Sequence, residues 1–164
     1  MIELIVLDVD GTLTDGKISY NSSGDEIKSF DVKDGLAIAS WTKKFNKKAA
    51  IITGRSSSIV EKRAKELNIT YLYQNISNKD EILDTILKQE NLSWENIAVI
   101  GDDLNDYKML QKAKLSFAPN NAVEEIKEIV DIVVKNNGGD GAVRQMIEYI
   151  LKYNNMDSLK SLWV

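Results

Sequence analysis

Three short runs in the chain are apolar without interruption: Leu4-Ile5-Val6-Leu7, Ala49-Ala50-Ile51-Ile52 and Ile97-Ala98-Val99-Ile100. Unbroken apolarity over so few residues marks a strand covered on both faces, since a strand with one wet face alternates. Between and after these runs, apolar residues recur at helical spacing. Ile59, Val60, Ala64 and Leu67 follow a cap within Ser56–Ser58; Ile82, Leu83, Ile86 and Leu87 follow Asn78; Val143 to Leu151 forms a third such stripe. Tyr71–Tyr73, Leu115–Ala118 and Ile132–Val134 read as further strands, and Asn105–Ala113 and Ala122–Val130 as further helices. Another helix is expected from Asp34 through the Trp41–Phe45 stretch. Strands alternating with helices give right-handed crossovers and a parallel sheet with helices on both faces, a three-layer α/β fold. Residues 17–32 break the pattern. Two short alternating segments flank Asn21-Ser22-Ser23-Gly24-Asp25, which predicts a β-hairpin inserted after the first strand. Residues 1–152 are expected to form one domain, and residues 153–164 a tail with Met156, Leu159, Leu162 and Trp163 as apolar positions.

Composition narrows the chemistry more than the fold. The chain has 164 residues, 43% hydrophobic and 28% charged, with a net charge of -4 and no block of basic residues, so neither disorder nor nucleic-acid binding is expected. Glu3 and Asp8 interrupt the first apolar segment, and no run has transmembrane length, so no membrane partner and a cytoplasmic location are expected. There is no Cys and no His. Proton transfer near neutral pH then falls to carboxylates, Lys, Tyr or water, and a bound metal must take oxygen ligands, which favours Mg²⁺.

Three strands end in polar clusters: the first at Asp8 and Asp10, the second at Thr53, the third at Asp102 and Asp103. Parallel sheets bind ligands beyond the carboxyl ends of their strands. Carboxylates converging there would repel or protonate unless a cation compensates them. Asp8 and Asp102 can supply carboxylate oxygens to Mg²⁺, with the Asp10 carbonyl and waters completing the shell. A phosphate held by such an ion needs donors, and the Thr53 hydroxyl and N–H, the backbone around Gly11 and the Lys79 ammonium are candidates. Two aspartates then share two tasks: one attacks phosphorus, and the other moves the proton.

Asp8-Val9-Asp10-Gly11-Thr12-Leu13-Thr14, Thr53, Lys79 and Gly101-Asp102-Asp103-Leu104-Asn105-Asp106 resemble, in order, the four motifs of the haloacid dehalogenase superfamily. The resemblance implies a Rossmann-like fold, Asp8 as nucleophile, Asp10 as acid/base, and Asp8 and Asp102 as metal carboxylates. Asp103 and Asp106 would support them, with Thr53, Gly54 and Lys79 at the phosphate. Neither gap between the motifs is long enough for the cap domain that most members carry. A closer resemblance rests on Asp15-Gly16, Phe30-Asp31-Val32-Lys33-Asp34-Gly35, Ile52-Thr53-Gly54-Arg55 and Gly138-Gly139-Asp140-Gly141-Ala142-Val143-Arg144. These stretches are similar to those of 3-deoxy-D-manno-octulosonate 8-phosphate phosphatases, Mg²⁺-dependent tetramers of lipopolysaccharide synthesis whose subunits meet through the hairpins. That resemblance implies a phosphorylated sugar acid as substrate, contacted by Asp31, Val32, Lys33, Asp34, Gly35, Arg55, Arg63 and Lys79. It also implies a tail able to close over a neighbour's site.

Three other readings compete. The substrate is a nonulosonate 9-phosphate; the module is a phospho-receiver, which needs no acid at Asp10; or Arg63 is a solvated helix residue paired with Glu61 or Glu66.

Overall fold

The computed structural model describes residues 1–164. Its elements run β1 (Leu4–Leu7), β2 (Ser19–Tyr20), β3 (Glu26–Ile27), α1 (Val32–Ala39), β4 (Lys48–Ile52), α2 (Ser58–Glu66), β5 (Tyr71–Tyr73), α3 (Lys79–Glu90), β6 (Ile97–Ile100), α4 (Tyr107–Lys112), β7 (Leu115–Ala118), α5 (Glu124–Lys127), β8 (Ile132–Val133), α6 (Ala142–Tyr153) and α7 (Leu159–Trp163). Six strands form one sheet in the order β5-β4-β1-β6-β7-β8, and every pairing in it is parallel.

The three apolar runs are the three central strands, and every residue of β1 and β6 is buried. Their side chains divide between two cores. Ile5 and Leu7 pack with α1, α2 and α6, and Leu4 and Val6 with α3, α4 and α5. This is the period of two along a strand. Each fully buried Leu or Ile contributes about 1.5–3 kcal/mol, so both layers are held from the middle of the sheet.

Several local expectations shift. α1 begins at Val32 because Asp31 caps it, accepting from the N–H groups of Lys33 (2.7 Å) and Asp34 (3.1 Å). After Ala39 the helix widens into a π-helical turn over Ser40–Lys44, closed by a bond from Phe45 N–H to the Ser40 carbonyl. The Thr42 hydroxyl donates to the Leu67 carbonyl at 2.8 Å, tying that turn to the end of α2. Asn78 stands at the N-cap of α3, yet its side chain makes no capping bond. Residues 104–106 form a 3₁₀ turn before α4, and α5 is a single turn. The tail is ordered as α7: Leu159 is buried, Trp163 donates its indole N–H to the Ser40 hydroxyl at 3.1 Å, and Lys44 lies 3.5 Å above the Trp163 ring. The hairpin is present with strands of only two residues, its turn folded around the Asn21 side chain.

Candidate active site

Asp8 follows Leu4 and Val6 on the same side of β1, so it points toward the α3 layer. There it meets Lys79, the first residue of α3. The Lys79 ammonium bonds Asp8 Oδ1 at 2.6 Å and Asp106 Oδ1 at 2.6 Å, and all three residues are buried. Asp106 spends its other oxygen on the backbone N–H groups of Asp102 (3.0 Å) and Asp103 (3.4 Å). Both its oxygens are therefore engaged, and it acts as the buttress of the Asp102 loop and of Lys79. Asp103 turns its carboxylate to the Leu104 N–H at 2.7 Å and caps the 3₁₀ turn.

Carboxylate oxygens of Asp8, Asp102 and Asp106 lie within 4.8 Å of one another. One ammonium faces three carboxylates. Burial first, then Asp106, with a smaller push from Asp102, raises the Asp8 carboxyl well above the usual range, although Lys79 opposes the shift. Burial and Asp106 push Asp102 up to about 6. An all-oxygen donor set with surplus negative charge fits a hard cation, and the carboxylates not already committed to backbone N–H groups are Asp8 and Asp102.

The loop after β1 is shaped for this approach. Gly11 has φ +94°, and a Cβ there would lie 1.9 Å from Asp102 Oδ2. The 136–141 loop supports it from behind: a Cβ on Gly138 would lie 1.8 Å from the Gly11 carbonyl oxygen, and Gly139 N–H bonds the Thr12 carbonyl at 3.1 Å.

Asp8, Asp10, Gly16, Thr53, Gly54, Arg55, Asp102, Asp103 and Asn105 line one cavity of about 270 Å³ with no hydrophobic residue in its wall. Sequence reasoning missed Asn105 as a lining residue, although it lies inside the third polar cluster. Some donors expected at the phosphate are already used. Thr53 N–H bonds the Tyr73 carbonyl at 3.0 Å, and Gly11 N–H bonds the Thr14 hydroxyl at 3.3 Å. The Thr53 hydroxyl and the N–H groups of Gly54 and Asp10 make no bond within the chain.

Asp10 carries the least expected contact. Its Oδ1 accepts a bond from Lys28, the residue after β3, whose side chain is 1% exposed. Lys28 also pairs with Glu26 Oε1 at 2.8 Å; Glu26 Oε2 in turn pairs with Arg55 at 3.2 Å. Burial would lower the Lys28 ammonium, but its bonds to Asp10 and Glu26 outweigh that and hold it above the ordinary lysine value.

The structure does not bring Asp31–Gly35 or Arg63 to this cavity. Val32 and Lys33 are exposed on the first turn of α1, and Asp31 is spent as its cap. Asp34 is buried and accepts from Arg144 N–H at 2.8 Å, bonding α1 to the start of α6. Arg63 pairs with Glu66 at 3.2 Å, donates to the Asp31 carbonyl at 3.4 Å and fills the space above Gly35.

Residues 71–147 match the family described as haloacid dehalogenase-like hydrolase. The chain is 40% identical to the 3-deoxy-D-manno-octulosonate 8-phosphate phosphatase KdsC of Escherichia coli K12, over 92% of this chain and 79% of that one. Its fold superposes with TM-score 0.94 on the crystal structure of the phosphatase of the same name from Moraxella catarrhalis in complex with magnesium ion, phosphate ion and a KDO molecule; identity is 40%, covering 99% and 94% of the two chains. The cobalt-bound enzyme from Haemophilus influenzae gives TM-score 0.88 at 35% identity, covering 94% and 90%.

Proposed function

The chain belongs to the haloacid dehalogenase-like hydrolases, among the 3-deoxy-D-manno-octulosonate 8-phosphate phosphatases, and from that premise we propose that it hydrolyses 3-deoxy-D-manno-octulosonate 8-phosphate to the free sugar acid and inorganic phosphate. The observation that carries this reading is the cluster of Asp8, Asp102 and Asp106 around Lys79, opening on a small polar cavity in a chain so similar to that enzyme. The activity places the protein in lipopolysaccharide biosynthesis.

Asp8 attacks phosphorus in line with the ester oxygen. As the new bond from Asp8 to phosphorus forms, the bond from phosphorus to the sugar oxygen breaks, and Asp10 gives its proton to the departing oxygen. Asp10, now a carboxylate, takes a proton from water while that water's oxygen attacks the phosphoaspartate. The Asp8 carboxylate is restored, and phosphate leaves. Lys79 fixes the Asp8 carboxylate through its 2.6 Å bond, and Thr53, with the N–H groups of Gly54 and Asp10, supplies donors to the phosphoryl oxygens. Asp8, Asp102 and the Asp10 carbonyl would hold Mg²⁺, which would supply positive charge against the phosphate dianion and offset its repulsion from Asp8. Arg55 meets the sugar-acid part from the rim.

Residues 1–152 form the catalytic unit, with 153–164 as its tail, and the unit assembles as a homotetramer through the hairpins. Ile18, Tyr20 and Ile27 support that assembly, being 38%, 61% and 50% exposed. Within a tetramer, the exposed Val32 and Lys33 at the start of α1, with Arg63 beside them, reach substrate only across a subunit boundary. No helix is long and apolar enough to cross a membrane, and the proposed location is the cytoplasm.

Phosphate release from a panel of phosphorylated sugars and sugar acids in Mg²⁺ tests the substrate. The octulosonate 8-phosphate should give the highest kcat/KM; a nonulosonate 9-phosphate turned over faster would overturn the assignment.

A further inference from the structure

Side chains alternate along the hairpin, so Glu26 and Lys28 share its inner face while Ile27 faces outward. Lys28 does not line the cavity and is almost fully enclosed, so it is not placed to touch a substrate. What it touches is Asp10 Oδ1, with Glu26 as a second anchor at 2.8 Å. The other Asp10 oxygen, Oδ2, takes no hydrogen bond, and Arg55 Nε lies 3.9 Å from it, outside hydrogen-bonding range. The Asp10 carboxyl is thus fixed through one oxygen and free at the other, on the side where Asp10 lines the cavity.

We propose that Lys28 is a positioning residue for Asp10: it clamps Oδ1 and presents Oδ2 to the oxygen of the leaving group. The inference rests on reading Asp10 as the acid/base. An aspartate carboxyl turns about a broad, weakly restrained torsion, so an unclamped Asp10 samples many orientations. Proton transfer demands one of them, and small misplacements are costly in rate. Glu26 completes the device by holding both Lys28 and Arg55, so the group that moves the proton and the cation at the rim are set by one turn of hairpin.

The test compares first-turnover rates for two substrates. 3-Deoxy-D-manno-octulosonate 8-phosphate loses an alkoxide that must be protonated; p-nitrophenyl phosphate loses a phenolate that leaves without a proton. For Lys28→Met, the first turnover of the sugar phosphate should slow by about 100-fold, the scale of general-acid catalysis, with KM unchanged. The p-nitrophenol burst should keep its wild-type rate, and Lys28→Arg should recover most of the loss. If Lys28→Met does not fold, as judged by thermal melting, Lys28→Gln takes its place. Equal slowing of both substrates, or a rise in KM alone, overturns the clamp. Asp10→Asn separates the two layers of the argument. If it turns over the sugar phosphate normally, the reading of Asp10 fails; if it is slow while Lys28→Met is fast, the clamp alone fails.

Discussion

Lys79 lies 2.6 Å from Asp8 although 71 positions separate them in the chain, and neither is exposed to solvent. The pair is also half of a larger arrangement, because the same ammonium serves Asp106. Burial pulls the Lys79 ammonium down, but the two carboxylates outweigh it and hold the group above its ordinary value. Removing one partner of a buried pair leaves charge uncompensated, which costs more than the pair contributes. Lys79→Met should therefore lose turnover and be destabilised by about 3–5 kcal/mol in urea unfolding without metal. Added Mg²⁺ should return part of that stability, since it supplies positive charge to the same cluster.

Chelation should act on stability as well as on rate. The carboxylates of Asp8 and Asp102 are pushed up by burial and by their neighbours, so the cluster without its ion is a destabilising feature of the fold. Phosphate release should stop in excess EDTA and return with Mg²⁺. At a hundredfold excess over its Kd the ion should stabilise the protein by about 2.7 kcal/mol, read as a rise in melting temperature. Full activity in chelator would contradict the assignment.

Gly11 offers a backbone test of the same site. Any side chain there must hold φ near +94° and displace the Asp102 carboxylate. Gly11→Ala should cost about 1–3 kcal/mol from the backbone alone. It should also raise the Mg²⁺ concentration needed for half-maximal activity, which a distant destabilising change would not do.

Asp34 sets a pH dependence away from the chemistry. Burial is the largest cause that lifts its carboxyl to about 6, against the bond from Arg144 N–H that lowers it, and Oδ2 is buried with no partner. Its folded value is raised, so its contribution is fully present below the unfolded value of about 3.9 and is lost as pH rises through about 6. The shift corresponds to at most about 3 kcal/mol. Asp34→Asn should be more stable relative to wild type at pH 7 than at pH 4, measured by urea unfolding at both.

The central strands were legible because Leu4–Leu7 and Ile97–Ile100 are buried on both faces, and such burial leaves no room for polar positions. The grouping of Asp8, Asp10, Thr53 and Asp102 was legible for a related reason: each follows directly on such a strand, and the parallel topology gathers those ends. What escaped depends on contacts between distant segments. Lys28 lies in an alternating stretch whose register over Asp10 is set by tertiary packing. Asp34 sits in a motif that reads as substrate contact, yet its carboxylate turns to the start of α6. The π-helical turn at Ser40–Lys44 has the same apolar spacing as an α-helix, and periodicity does not separate the two. At five residues α7 is too short to show a helical period; its order comes from Leu159 in the core and Trp163 on Ser40.

The place of β1 between β4 and β6 also governs when the molecule becomes active during synthesis. Asp8 is made first, but the strand that carries it has no partner until residues 48–52 emerge and is not enclosed until residues 97–100 follow. Lys79 and Asp106, which fix Asp8 and support Asp102, arrive later still than β4. Parallel pairing of this kind closes long loops before it returns any stability, so it forms late. A ribosome-bound chain shorter than about two-thirds of the sequence thus carries Asp8 with no site around it, and hydrolysis begins only when the sheet has closed.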